Sequence, residues 1–154
     1  MQLSKYTTLQ ECTKSATAIK YGIDNTPNAE QIENLKAVCT NVFDKCREHL
    51  GGPLFISIGF RCKALNDKIP GASKTSQHMK GEALDLDCDV FKNGTNKELF
   101  EYIKNNLEFD QLIWEFGTTE HPEWVHVSFS RTKNRKTVLR SVNKGGKISY
   151  EKMV

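Results

Sequence analysis

The sequence predicts an α+β domain in which N-terminal helices pack on a small, mostly antiparallel sheet. Two features predict it. Apolar residues recur at helical spacing through residues 8–50, and short β-rich runs follow, with a single helical segment interposed near residue 100. The length, 154 residues, argues for one domain spanning 1–154, able to bury about two-thirds of its unfolded surface. Residues 131–154 are expected to form a basic C-terminal hairpin or extension of that domain.

The elements follow in order. Thr8 with Glu11 makes a capping-box pattern, and Cys12, Ala16 and Ile19 recur at helical spacing until Gly22, which predicts a first helix of about three turns. Thr26-Pro27 opens a second helix, lined by Ile32, Leu35, Val38, Val42, Cys46 and Leu50 and ended by Gly51-Gly52. LFISIGF (54–60) reads as a strand and RCKALNDKI as a short helix. In ALDLD (83–87) side chains alternate with period two, so Ala83, Asp85 and Asp87 share one face while Leu84 and Leu86 share the other. Thr95 with Glu98 starts a helix carrying Leu99, Phe100, Ile103 and Leu107. DQLIWEF and WVHVSFS are strands, and a basic hairpin turns at Gly145-Gly146.

The formal net charge of +3 hides a division along the chain. Residues 131–154 hold eight Lys/Arg against one acid, Glu151, whereas residues 1–130 hold 14 basic and 18 acidic residues. A basic block of this kind either docks on an anionic polymer or keeps a hairpin solvated. Five cysteines without a C-x-x-C pair read as reduced packing residues, and the Cys39–Cys46 spacing is that of a helix face. The chain has no run of about 18 apolar residues and no apolar signal core in MQLSKYTTLQEC, so no membrane insertion and synthesis in the cytoplasm are expected.

Chemistry concentrates in TSQHMKGEALDLD (75–87) and HPEWVHVSFS (121–130). On the second strand Val125, Val127 and Phe129 face the core, leaving Trp124, His126 and Ser128 on the opposite side. Glu123 lies three positions before His126, so the chain must bend near Pro122 if the two are to meet. Catalytic zinc takes three protein ligands from His and Asp/Glu and leaves a fourth position open, and His78, Asp85 and His126 fit that count. Glu123 is then placed to accept a proton from attacking water. Arg61, at the end of the SIGF strand, can hold an oxyanion or a substrate carboxylate. Gly81 provides backbone room between the two ligands of the first segment.

Ser76-Gln77-His78-Met79-Lys80-Gly81-Glu82-Ala83-Leu84-Asp85 fits the pattern S-x-H-x-x-G-x-A-x-D, and Glu123-Trp124-Val125-His126 fits E-x-x-H. With these two motifs in this order the sequence resembles the zinc D-Ala-D-Ala carboxypeptidase family. ISIGFRC resembles that family's strand ending in an arginine, and SATAIKYGIDNTP (15–27) is similar to the front of its compact phage-type members, so the resemblance covers about residues 6–130. It implies a zinc peptidase acting on D-amino-acid-containing stem or cross-bridge peptides of bacterial peptidoglycan. It also implies His78, Asp85 and His126 as metal ligands, Glu123 as general base and Arg61 as carbonyl or carboxylate binder. Ile58 departs from the small or polar residue that related strands often carry there, which bears on subsite shape. A wall-cutting enzyme made in the cytoplasm fits a phage or prophage lysin that reaches the wall after release or delivery.

Several residues carry a second reading. Asp87 shares a face with Asp85 and either orients a ligand imidazole or stays unconnected to the site. His49 reads as a helix-end cation, His121 as a loop histidine or a substrate contact, and Trp124 as a cleft floor or a core residue. Two rival classes are a non-catalytic zinc-containing wall-binding module on the same scaffold and a nucleic-acid-associated protein. A water-activating base beside the metal ligands opposes the first. Poor aromatic interleaving in the basic block, with Tyr150 alone, opposes the second, so no specific nucleic acid partner is expected.

Overall fold

The computed structural model describes residues 1–153, and among them six strands form one sheet in the order β1-β2-β4-β3-β5-β6. The strands are β1 (Phe55–Ile58), β2 (Ala83–Asp87), β3 (Gln111–Glu115), β4 (Trp124–Ser128), β5 (Thr137–Lys144) and β6 (Lys147–Lys152). All neighbours are antiparallel except β3 and β5, which run parallel. The architecture is α+β and mostly antiparallel, as the sequence predicts.

Period-two alternation decides which face is core. Leu84 and Leu86 of β2, Val125 and Val127 of β4, and Leu112 and Trp114 of β3 point to one side. There they meet Leu35 and Val38 of α3 (Ala29–Val38), Cys46 of α4 (Asp44–Leu50), and Leu99, Phe100 and Ile103 of α6 (Asn96–Asn106). The predicted stripe is buried from Leu35 to Cys46, with Ile32 and Leu50 partly buried at its ends, but the helix passes through a π-turn at Cys39–Phe43, where Asp44 N–H donates to Cys39 O. Its cap is Asn28, whose side chain and that of Gln31 exchange hydrogen bonds with each other's backbone N–H at 2.8 Å. A short α5 (Lys63–Asn66) follows β1.

The predicted three-turn first helix is instead two helices, α1 (Leu9–Thr13) and α2 (Ala16–Tyr21). The carbonyls that a continuing helix would need are taken from elsewhere in the chain. Phe60 N–H donates to Cys12 O at 2.6 Å and Asn25 Nδ2 donates to Thr13 O at 2.9 Å, after which Ser15 caps a new helix. Ile19, expected on the buried stripe, is 83% exposed. The same contact brings α1 so close to β1 that a side chain at Gly59 would collide with the Cys12 backbone.

The basic segment is part of the sheet. Arg135 N–H donates to Asp110 Oδ1, and Lys136 and Thr137 N–H donate to Phe109 and Asp110 carbonyls, which sets β5 alongside β3. The chain then turns at Gly145-Gly146, as expected, and β6 closes the edge. No helix among the described residues is long and apolar enough to cross a membrane.

Candidate metal centre and active site

Opposite the core, three side chains converge from three elements. Asp85 of β2 and His126 of β4 are paired across the sheet. His78 comes from a 3₁₀ turn, Gln77–Lys80, whose start is capped by Ser76 Oγ accepting from His78 N–H at 3.2 Å. Helix α3 holds this turn: Gln31 Nε2 donates to Met79 O and Asn34 Nδ2 to Lys80 O. Gly81 ends the turn at φ +75°, and a Cβ there would lie 2.5 Å from Gln31 O. Gly81 is therefore required by a left-handed turn pressed on α3, and not by space between ligands.

The ligand-capable atoms of His78, Asp85 and His126 all lie within 4.8 Å of one another, and all three residues are buried. His78 Nδ1–H donates to the Gly59 carbonyl at 2.8 Å; a carbonyl can only accept, so the neutral ring presents a bare Nε2 to Asp85. His78 Nε2 is 3.3 Å and His126 Nδ1 is 3.0 Å from Asp85 Oδ1. Tetrahedral zinc with bonds of about 2.0–2.1 Å sets its ligand atoms about 3.3 Å apart, so the donor set fits the ion in kind and its two distances to Asp85 match that spacing. Burial pushes the Asp85 carboxyl up, but the adjoining His78 and then His126 outweigh it and hold the group well below the usual carboxylate range. An anionic Asp85 is the form a cation needs.

Arg61 is buried behind this cluster. Its Nε donates to Asn66 Oδ1 at 2.9 Å, and its backbone N–H donates to His78 O at 3.1 Å. Burial lowers its pKa while the Asp85 carboxylate offsets that effect. It lines a cavity of about 190 Å³ with Lys14, Ser57, Phe60 and Ile69. Glu123 is exposed at the start of β4, and its carboxylate has no hydrogen bond or ion pair among the described residues. Its backbone is fixed: Glu123 N–H donates to Glu115 O at 2.9 Å, and buried Asn96 Nδ2 reaches the Pro122 and Glu123 carbonyls at 3.2 and 3.0 Å.

Asp87, His121 and His49 separate from the cluster. Asp87 Oδ1 accepts from Asp89 N–H and Asn96 Nδ2, so it organises the β2–α6 connection and orients neither histidine. His121 pairs with Asp89 at 2.9 Å, His49 stacks on Tyr102, and Trp124 packs against Phe116. Four of the five cysteines are buried, and all five are free thiols.

Two buried carboxylates near the site escaped the sequence reading. Asp110 accepts from Arg135 and from Gln77, the residue next to His78. Glu115 lies on the same face as His126 and accepts from Ser141 Oγ at 2.5 Å. Burial raises the Glu115 pKa, with Asp85 adding to the effect and the Ser141 bond and His126 opposing it. Strand parity alone puts Gln111, Ile113 and Glu115 on the site face, but the partner Ser141 follows only from the parallel register.

The family model for peptidase M15 matches residues 5–128, which include every residue placed above at the centre. The chain belongs to the peptidase M15 family. This is the zinc D-Ala-D-Ala carboxypeptidase type that its two motifs resemble. M15 peptidases are zinc-dependent, and this one carries a His-Asp-His group with the donor chemistry for that ion. No curated protein matches this M15 chain. Strands β5 and β6 lie beyond the matched residues although they complete the sheet.

Proposed function

We propose that this M15 peptidase hydrolyses D-amino-acid-containing peptide bonds of bacterial peptidoglycan, with His78, Asp85 and His126 holding one zinc. The observation that carries the reading is the buried three-atom donor set with His78 locked in a metal-binding tautomer. When bound, zinc supplies Lewis acidity that makes water a better nucleophile at neutral pH and polarises a peptide carbonyl.

The remaining work falls to the chain. Glu123 takes a proton from the attacking water and returns it to the leaving nitrogen; an exposed carboxylate free of internal partners has its oxygens available for this. Asn96 holds the Pro122 and Glu123 carbonyls, which fixes the backbone that carries this carboxylate just ahead of His126. Arg61, fixed by Asn66 beside a cavity, donates to the developing oxyanion or to a substrate carboxylate. The enzyme is made in the cytoplasm and meets the wall after release or delivery, in the manner of a phage or prophage lysin.

Digestion of purified peptidoglycan with the zinc-loaded protein, followed by mass spectrometry, tests the reading. New termini at D-amino acids that disappear after chelation are expected. Intact wall peptides in the presence of bound zinc would favour the alternative, a zinc-containing module that binds wall without cutting it.

A further inference from the structure

Strand register places a second constellation beside the metal centre. Asp85 and His126 continue across the sheet through Ile113, Leu139 and Lys152. The next row on the same face reads Trp124, Glu115, Ser141 and Tyr150. With strands about 4.8 Å apart and about 3.4 Å per residue, the Cα of Glu115 sits about 8 Å from that of His126.

Glu115 has the character of a binding group. Its residue is 7% exposed, and Oε2 accepts from Ser141, itself fully buried. Oε1 accepts no hydrogen bond; among the described residues the sealed side-chain atom without a partner is Arg140 Nε, so Oε1 keeps contact with solvent. Aromatic rings flank it along the row, Trp124 on one side and Tyr150 on the other. Tyr150 is 56% exposed and stands in the same row, on the far side of Ser141 from Glu115. The hairpin also reaches the loop before His78, since a side chain at Gly71 would meet Ile148 Cδ1 at 3.6 Å.

We propose that Glu115, backed by Ser141 and walled by Trp124 and Tyr150, is a subsite for an alkylammonium side chain of the peptide substrate. A carboxylate with one oxygen fixed and the other open, between aromatic faces, recognises a primary ammonium on an aliphatic stem by charge-assisted hydrogen bonding and cation–π contact. At about 3.3–3.6 Å per extended residue, the subsite lies about two residues from the bond cut at the metal. Glu115 and Trp124 lie within the matched residues, whereas Ser141 and Tyr150 come from β5 and β6 beyond them, so the C-terminal hairpin completes the subsite.

The inference rests on the peptidase reading for the direction of the substrate, and its test does not need turnover. Calorimetry would measure zinc-loaded Glu123→Gln binding N-acetyl-Lys-D-Ala-D-Ala and N-acetyl-D-Ala-D-Ala-Lys, each with a free or an Nε-acetylated lysine. Acetylation is expected to weaken one of the pairs about tenfold or more. Adding Glu115→Gln should shrink that ratio below about twofold with zinc retained, and adding Tyr150→Ala should weaken the free-amine peptide severalfold. Equal binding of free and acetylated forms, or no binding of any, overturns the subsite. A ratio unchanged by Glu115→Gln, or zinc loss with the ratio kept, also overturns it and makes Glu115 a support of the sheet or of His126. Ammonium discrimination without wall cleavage by the parent keeps the subsite and sinks the peptidase reading; wall cleavage without discrimination does the reverse.

Discussion

At the scale of single residues, the centre depends on which atoms are free to act. His78 donates Nδ1–H to Gly59 and keeps Nε2 for the cluster, so His78→Ala removes a proposed ligand whose tautomer the fold has already fixed. His78→Ala and His126→Ala should each lose bound zinc while the core, which lies on the other face, stays folded. Metal analysis beside circular dichroism checks this, and stoichiometric zinc in both variants would end the ligand assignment. Glu123 is the opposite kind of residue, exposed and without a partner, so Glu123→Gln should cost the fold almost nothing. The amide can neither accept the water's proton nor return it to the amine. Turnover should fall about 10²- to 10⁴-fold with zinc retained, mainly in kcat, because the carboxylate acts in the transition state. Parental kcat on wall peptides with zinc bound would return Glu123 to a surface role.

At the scale of elements, the junction of β3 and β5 depends on one buried carboxylate. Asp110 is 4% exposed and accepts from Arg135 N–H, Nε and Nη2 at 2.8–3.0 Å, and these bonds pull its carboxyl down to about 2. A depressed folded-state value stabilises the fold above the unfolded value of about 3.9, and that stability is lost as pH falls through about 2. Discounted for the exposure of Arg135, the contribution is about 1 to 2 kcal/mol. Urea unfolding of Asp110→Asn against the parent should show this gap at pH 5–7 and its closure by about pH 2; a gap that persists at pH 2 would mean the charge is not the cause. What could be read from the sequence divides along the same line. Alternation in 83–87 and 124–128 placed Asp85 and His126 together, because parity is a local property. The break between α1 and α2 was invisible because Phe60 and Asn25 take the carbonyls of Cys12 and Thr13 from far along the chain. The pairs Glu115–Ser141 and Asp110–Arg135 were hidden for the same reason, since a parallel register has no turn to announce it.

At the scale of the molecule, charge and topology pull the C-terminal block in different directions. Of its eight cations, Arg135 is clamped by Asp110, Arg131 Nε donates to Asn34, and Lys144 pairs with Glu151, so the block is only partly available to a partner. It also supplies β5, which covers the edge of β3. Truncation after residue 130 would therefore expose that edge and strand Asp110 and Glu115, giving an unfolded or aggregating chain instead of a docking mutant. Charge reversal at exposed Lys133 and Lys147 separates the two roles, because neither appears in a hydrogen bond through its side chain or in an ion pair. If the surplus cations draw the enzyme to an anionic wall, Lys133→Glu with Lys147→Glu should reduce binding to purified wall severalfold at low salt. Since the Debye length falls from about 30 Å at 0.01 M to about 8 Å at 0.15 M, the variant and the parent should converge as salt rises. Hydrolysis of a short neutral peptide should match the parent throughout, because neither lysine belongs to the His-Asp-His group. Equal wall binding at low salt would leave the block with its part in the sheet alone.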